Sequence, residues 1–200
     1  MSPEVIPHTV EPHPVTGLYN GKLGIWLFLA SEVMLFGAMF SAYIFLRMGN
    51  ADFSHDAHLN VTIGMLNTFI LISSSVTMVM AWAAAQSNNL STARKYLLGT
   101  LLLAVAFLVI KLAFEYVPKI QSGTVPATSV FYGIYYAITG LHGLHVIGGI
   151  VVIGYLLLSS KGMWGTKQEQ FTNRLECTGL YWHFVDLVWI FVFPIFYLLS

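Results

Sequence analysis

The side chains able to do chemistry stand in stretches that otherwise carry almost no polarity. Glu32 lies in Ser31-Glu32-Val33-Met34-Leu35-Phe36, and Lys111 and Glu115 are four residues apart. His142 and His145 are three apart in a glycine-rich run, Thr139 to Gly149. Glu176 and His183 are seven apart, with Asp186 three further on among Trp182, Trp189, Phe191 and Phe193. Asn67 and Ser74 repeat the seven-residue spacing beside Ser73, Ser75 and Thr77. Such groups can move protons, ligate a metal or bond one helix to another.

Each pattern favours some of these chemistries. Glu32 follows Lys22 by ten residues, about 15 Å along a helix, where a charge costs at least ~2.5–3.5 kcal/mol in a bilayer. It reads either as a neutral carboxyl bonded to a neighbouring helix or as a group that handles protons. Lys111 and Glu115 share a helix face and neutralise each other, which makes them a structural pair. His142 and His145 project about 60° apart, close enough for one polar site. Glu176 and His183 nearly superimpose in projection, and Asn67 and Ser74 read as interhelical hydrogen-bonding groups.

A carboxylate dimetal site in a helical bundle uses two Glu-x-x-His motifs, and this sequence has none. Two stacked haems need widely separated histidines on facing helices, whereas these two are three apart. Cys177 is the one cysteine, so neither a disulfide nor a thiolate cluster can form within the chain. It reads as a small apolar filler. The sequence therefore predicts no catalytic residue, no metal and no cofactor in this chain.

The elements that must position these groups follow from composition. Nine Lys and Arg and nine Asp and Glu make up 9% of 200 residues, against ~25% in a soluble domain. With 56% hydrophobic residues and a mean hydropathy of +0.72, the chain reads as an integral membrane protein rather than a soluble enzyme. Zero net charge and scattered basic residues give no footprint for nucleic acid.

Polar punctuation predicts an all-α bundle of five spans, at about 22–46, 61–85, 96–117, 130–158 and 178–199, with Pro118 ending the third. Residues 1–21, with Pro3, Pro7, Pro12, Pro14 and Gly17, read as an extended tail rather than a signal peptide, and its His8 and His13 as solvated. Residues 22–200 form one membrane domain, whose longest loop is expected from Ser159 to Cys177. Arg94, Lys95, Lys161, Lys167 and Arg174 fall on one side, against Arg47 and Lys119 on the other. The rule that basic loops stay inside puts the N-terminus in the cytoplasm and the C-terminus outside.

Together these segments resemble subunit III of the haem–copper respiratory oxidases over roughly residues 22 to 199. The run Tyr181-Trp182-His183-Phe184-Val185-Asp186-Leu187-Val188-Trp189 is similar to that family's final-helix signature, with Glu176 at the matching place. Ser31-Glu32-Val33, Leu66-Asn67-Thr68, Phe114-Glu115-Tyr116 and the Thr139 to Gly149 segment match in the same order.

The resemblance implies a core subunit that binds no haem or copper, packs beside oxidase subunits I and II, holds phospholipid, and supports proton uptake and durability of the catalytic subunit. Glu32 matches the family's carbodiimide-reactive glutamate. Glu115, His142, His145, Glu176, His183 and Asp186 match its internal polar network. Many members have seven spans and a lipid-filled cleft walled by the first two. This chain matches the last five, the form common in bacteria, which implies a bacterial plasma membrane.

The implied reaction of the complex is reduction of oxygen to water coupled to proton pumping, with cytochrome c as donor. A quinol oxidase or nitric oxide reductase subunit is the alternative within this fold. A small proton-coupled transporter is the alternative from another class, although the inverted repeat and broken helices of such proteins are missing here.

Overall fold

The computed structural model describes residues 19–49, 53, 59–165 and 167–199. His8, His13 and most of the expected tail lie outside the described residues. Five helical stretches are long and apolar enough to cross a membrane. They are α1 (Asn20–Gly49), α2 (Val61–Gln86), α3 (Leu90–Lys111) continuing through a π-helical turn (Leu112–Tyr116) into α4 (Val117–Gln121), α5 (Val130–Trp164), and α6 (Gln168–Phe193) ending in a second π-helical turn (Pro194–Leu198). The all-α, five-span expectation holds because a bilayer leaves backbone groups no partners except those inside a helix or a closed barrel.

Side-chain caps open three of the helices. Asn60 Oδ1 accepts from the backbone N–H groups of Thr62 (3.0 Å) and Ile63 (3.3 Å). Asn89 does the same for Thr92 at 3.1 Å and Ser129 for Tyr132 at 3.3 Å, satisfying orphan donors of the first turn. Between α2 and α3 the turn is tight, with Asn88 in the left-handed region at φ 61°, a conformation asparagine tolerates better than most residues.

Three boundaries differ from expectation. Asn20 and Gly21 belong to α1 rather than to a tail. Pro118 does not end the third span, because it falls in the first turn of α4, just beyond the π-helical turn. At such a position its missing N–H has no intrahelical role. The Ser159 to Cys177 loop is mostly helix, with α5 reaching Trp164 and α6 starting at Gln168. Charged residues in these long end turns extend past the ~30 Å hydrocarbon layer, which hydropathy reads as loop.

The final helix, α6, is the hub, packing against α1, α2 and α5, while α3 packs between α2 and α5. Consecutive helices α1 and α2 barely meet. The buried line of α2 runs Gly64, Asn67, Leu71, Ser74, Met78, Ala81, Ala85, and that of α3 runs Ala93, Leu97, Thr100, Ala104, Phe107, Lys111. Alternating steps of three and four give the shallow crossing of coiled-coil packing, and the Thr77 and Thr100 hydroxyls meet across it at 2.8 Å. Two glycines admit aromatic rings. A Cβ on Gly149 would stand 2.5 Å from Trp182, and one on Gly64 would stand 2.8 Å from Phe193 and Tyr197.

Candidate functional site

The polar side chains form separate clusters rather than one site. The most connected lies where the two π-helical turns face each other. Lys111 Nζ donates to Glu115 Oε2 at 2.7 Å, to Tyr135 Oη at 2.9 Å and to Tyr197 Oη at 2.6 Å. Tyr135 Oη donates to Glu115 Oε1 at 2.7 Å, and Tyr197 Oη donates to the same oxygen. Lys119 Nζ lies 3.9 Å from that carboxylate and is itself buried. Trp189 and Tyr116 complete an aromatic surround, with ring centres 5.0 and 5.7 Å from Lys111 Nζ. The expected Lys111–Glu115 pair is present. The two tyrosines and the aromatic surround carried no local signal in the sequence, since Tyr135 and Tyr197 come from α5 and the second π-helical turn, whereas Lys119 stands four residues after Glu115 and is hidden only by Pro118, which reads as the end of that span.

The two histidines of α5 do not share a site. His142 is 1% exposed and faces Phe107 and Trp189, its ring centre 5.8 and 5.2 Å from theirs. His145 turns toward α1, with Nε2 3.0 Å from Glu32 Oε2. A 60° separation suffices to split them because α3 and α1 lie on different sides of α5. His145 Nδ1 lies 2.8 Å from the Leu141 carbonyl oxygen. A carbonyl only accepts, so Nδ1 carries a hydrogen and a single further proton is shared between Nε2 and Glu32. The pair is either a neutral acid donating to imidazole or a carboxylate facing imidazolium. Tyr181 Oη donates to the His145 carbonyl at 2.8 Å, holding α6 against this place.

On α6 the expected polar stripe opens out to separate neighbours. Glu176 Oε1 accepts from Lys22 Nζ at 2.5 Å, tying α6 to the start of α1. His183 Nδ1 meets Ser75 Oγ of α2 at 2.6 Å. Asp186 is buried beside Ser75, and among the described residues neither of its oxygens meets a partner in hydrogen-bonding geometry. Asn67 and His142 are likewise buried without one. Ser74 accepts from Trp182 Nε1 at 3.1 Å, and neighbouring Thr68 accepts from Trp189 Nε1 at 3.0 Å. These two indole bonds, which sequence reasoning missed, set the register between α2 and α6.

Among the described residues no three His, Cys, Asp or Glu side chains gather where they could hold a metal ion. The arrangement suits proton sharing and interhelical bonding in a hydrocarbon setting.

The profile of the family described as cytochrome c oxidase subunit III matches residues 9–200. The chain belongs to this family. Cytochrome c oxidase subunit 3 of Alkalihalophilus pseudofirmus is 35% identical over 94% of this chain and 92% of its own length. Quinol oxidase subunit 3 of Bacillus subtilis is 33% identical over 96% of this chain and 92% of its own. Heme-copper oxidase subunit I+III of Aeropyrum pernix is 33% identical over 88% of this chain, a match that spans 22% of that longer protein. As a subunit III chain, this protein places its signature residues on α6, where Trp182 and Trp189 point inward and His183 stays half-exposed.

Proposed function

We propose that this subunit III is a non-redox core subunit of a proton-pumping terminal oxidase that reduces oxygen to water with cytochrome c as donor. The observation that carries the reading is the Glu32–His145 pair, 3.0 Å apart, which holds one shared proton on the α1 side of the bundle. Haem and copper belong to the partner subunits I and II. The Bacillus subtilis relative supports a second reading, in which quinol is the donor to the same kind of complex.

Phospholipid is part of the proposal. Between α1, α5 and α6 two adjoining grooves of about 640 and 320 Å³ run from Lys22, Asn173 and Arg174 down to Ile25, Val152 and Tyr181. A polar mouth over an apolar floor suits an anionic headgroup with its acyl chain. The membrane is the bacterial plasma membrane, with the N-terminus cytoplasmic. The ammonium of Lys119 is buried 3.9 Å from Glu115 and adds no loop charge outside, which widens the basic asymmetry. In intact cells a cysteine at the exposed Lys167 should resist an impermeant thiol reagent, and one at Gly123 should react. The opposite pattern overturns the orientation.

The test of function is purification in mild detergent. The chain should copurify with a haem-bearing subunit, and a dinuclear-copper cysteine motif on a second subunit would decide for cytochrome c. Recovery of the chain alone, or a haem band in the separated chain, counts against the reading. Glu32→Gln should keep oxygen reduction while abolishing carbodiimide labelling at that position, as an amide keeps the size of the acid. A fully metallated Glu32→Gln complex unable to reduce oxygen would make Glu32 catalytic.

A further inference from the structure

Ser75 stands apart from its neighbours on α2. Thr68, Ser73, Ser74 and Thr77 donate to carbonyls of their own helix, whereas the Ser75 hydroxyl turns to α6 and meets His183 Nδ1 at 2.6 Å. Asp186, 4% exposed, lies beside the same serine, and neither of its oxygens is otherwise engaged among the described residues. An acid, a hydroxyl and an imidazole are thus gathered at the α2–α6 contact.

Among the described residues no cation pairs with Asp186. The helices packed on α6 are α1, α2 and α5, and α2 contains no Asp, Glu, Lys, Arg or His. On α1, Lys22 pairs with Glu176, Glu32 with His145, and Arg47 bonds Tyr43. On α5, His142 faces Phe107 and Trp189, and Lys161 stands in the last turn. A carboxyl so placed keeps its proton, because an uncompensated charge in hydrocarbon is costly. His183, by contrast, has a way out. It lines a groove of about 240 Å³ together with Val79, Leu180 and Glu176. Glu176 lies seven residues, about 10 Å, along α6 and bonds Lys22 at the start of α1, so the groove leads from the imidazole to headgroup level.

We propose that Asp186 is an exchangeable proton-binding site, served by Ser75 and His183 and reached from headgroup level through the α2–α6 groove. In the loaded state Asp186 donates to Ser75 Oγ, Ser75 donates to His183 Nδ1, and the imidazole carries its hydrogen on Nε2. Release passes the Asp186 proton to Ser75, the Ser75 proton to Nδ1 and the Nε2 proton to water in the groove. Uptake reverses each transfer. Every hop needs direct contact or one water, which a turn of the Asp186 carboxyl toward Ser75 supplies. The site lies wholly within this chain and is separate from the proton shared by Glu32 and His145.

The experiment is infrared spectroscopy of the protein purified with its accompanying subunits, with isotopically labelled aspartate carboxyls and transfer into heavy water. A protonated-aspartate carbonyl band should be present and should vanish in Asp186→Asn. Ser75→Ala should shift that band, by removing its acceptor, and slow its exchange with heavy water at least about a hundredfold. His183→Phe should slow the exchange comparably. Ser73→Ala, which removes a hydroxyl bonded to its own helix, should change neither band nor rate. Should Asp186→Asn fail to assemble, the Ser75→Ala shift identifies the acid. Absence of a protonated-aspartate band, or a band unmoved by these two substitutions, overturns the site. Exchange as fast in Ser75→Ala and His183→Phe as in the unsubstituted protein overturns the proposal too, since the proton then leaves by another path.

Discussion

Glu115→Gln should be the most damaging single substitution of a polar side chain in this protein, costing about 3–5 kcal/mol of stability. The carboxylate is the shared anion of two buried ammonium groups, at 2.7 Å from Lys111 and 3.9 Å from Lys119. Removing its charge strands Lys111, whose side chain is 7% exposed and keeps only neutral oxygens, the two phenols and the new amide, to bond. Lys119 stands in the last turn of α4 and, once released from Glu115, can swing its ammonium toward the headgroups. Lys111→Met should cost less, about 1–3 kcal/mol, because Lys119 and two tyrosine hydroxyls remain for Glu115. Unfolding midpoints in mixed micelles of detergent and denaturing surfactant would rank the variants. A Lys111→Met protein less stable than Glu115→Gln would show that the carboxylate is not the shared centre of the cluster.

Gly149→Ala should loosen α5 from α6 by about 1–3 kcal/mol, the usual cost of overpacking. The added methyl would stand 2.5 Å from Trp182, and that ring has nowhere to go. It is fully buried, and its Nε1 is tied to Ser74 at 3.1 Å. Trp182→Phe removes the atoms that clash, so the double variant should recover part of the loss, a coupling that a double-mutant cycle measures directly. Additive losses from the two substitutions would mean that Gly149 matters for helix propensity rather than for the fit of the indole. Gly154, with open space around its Cβ position, serves as the control, where alanine should be tolerated.

The five spans were legible because each apolar run is long enough to cross a bilayer, and a bilayer permits few backbone conformations. Pairing within one helix was legible too, since Lys111 and Glu115 are neighbours by helical geometry alone. Proline and charge signals misled at the span ends. Pro118 reads as a stop until a π-helical turn places it at the start of a new segment, and the charged turns after Ser159 read as loop although they are helix outside the hydrocarbon.

The amino-acid sequence by itself determined the all-α membrane bundle, the family, and which few polar groups had to find partners inside it. Tertiary structure alone decided who those partners are. Glu32 takes His145 and not His142, His183 takes Ser75, Glu176 takes Lys22, and Tyr135 and Tyr197 close around Lys111. The helices are apolar nearly all round, so periodicity does not reveal their inward faces. Those faces are selected by which rings and small residues of distant helices fit together, as Trp182 fits Gly149, and that selection depends on contacts far apart in the chain.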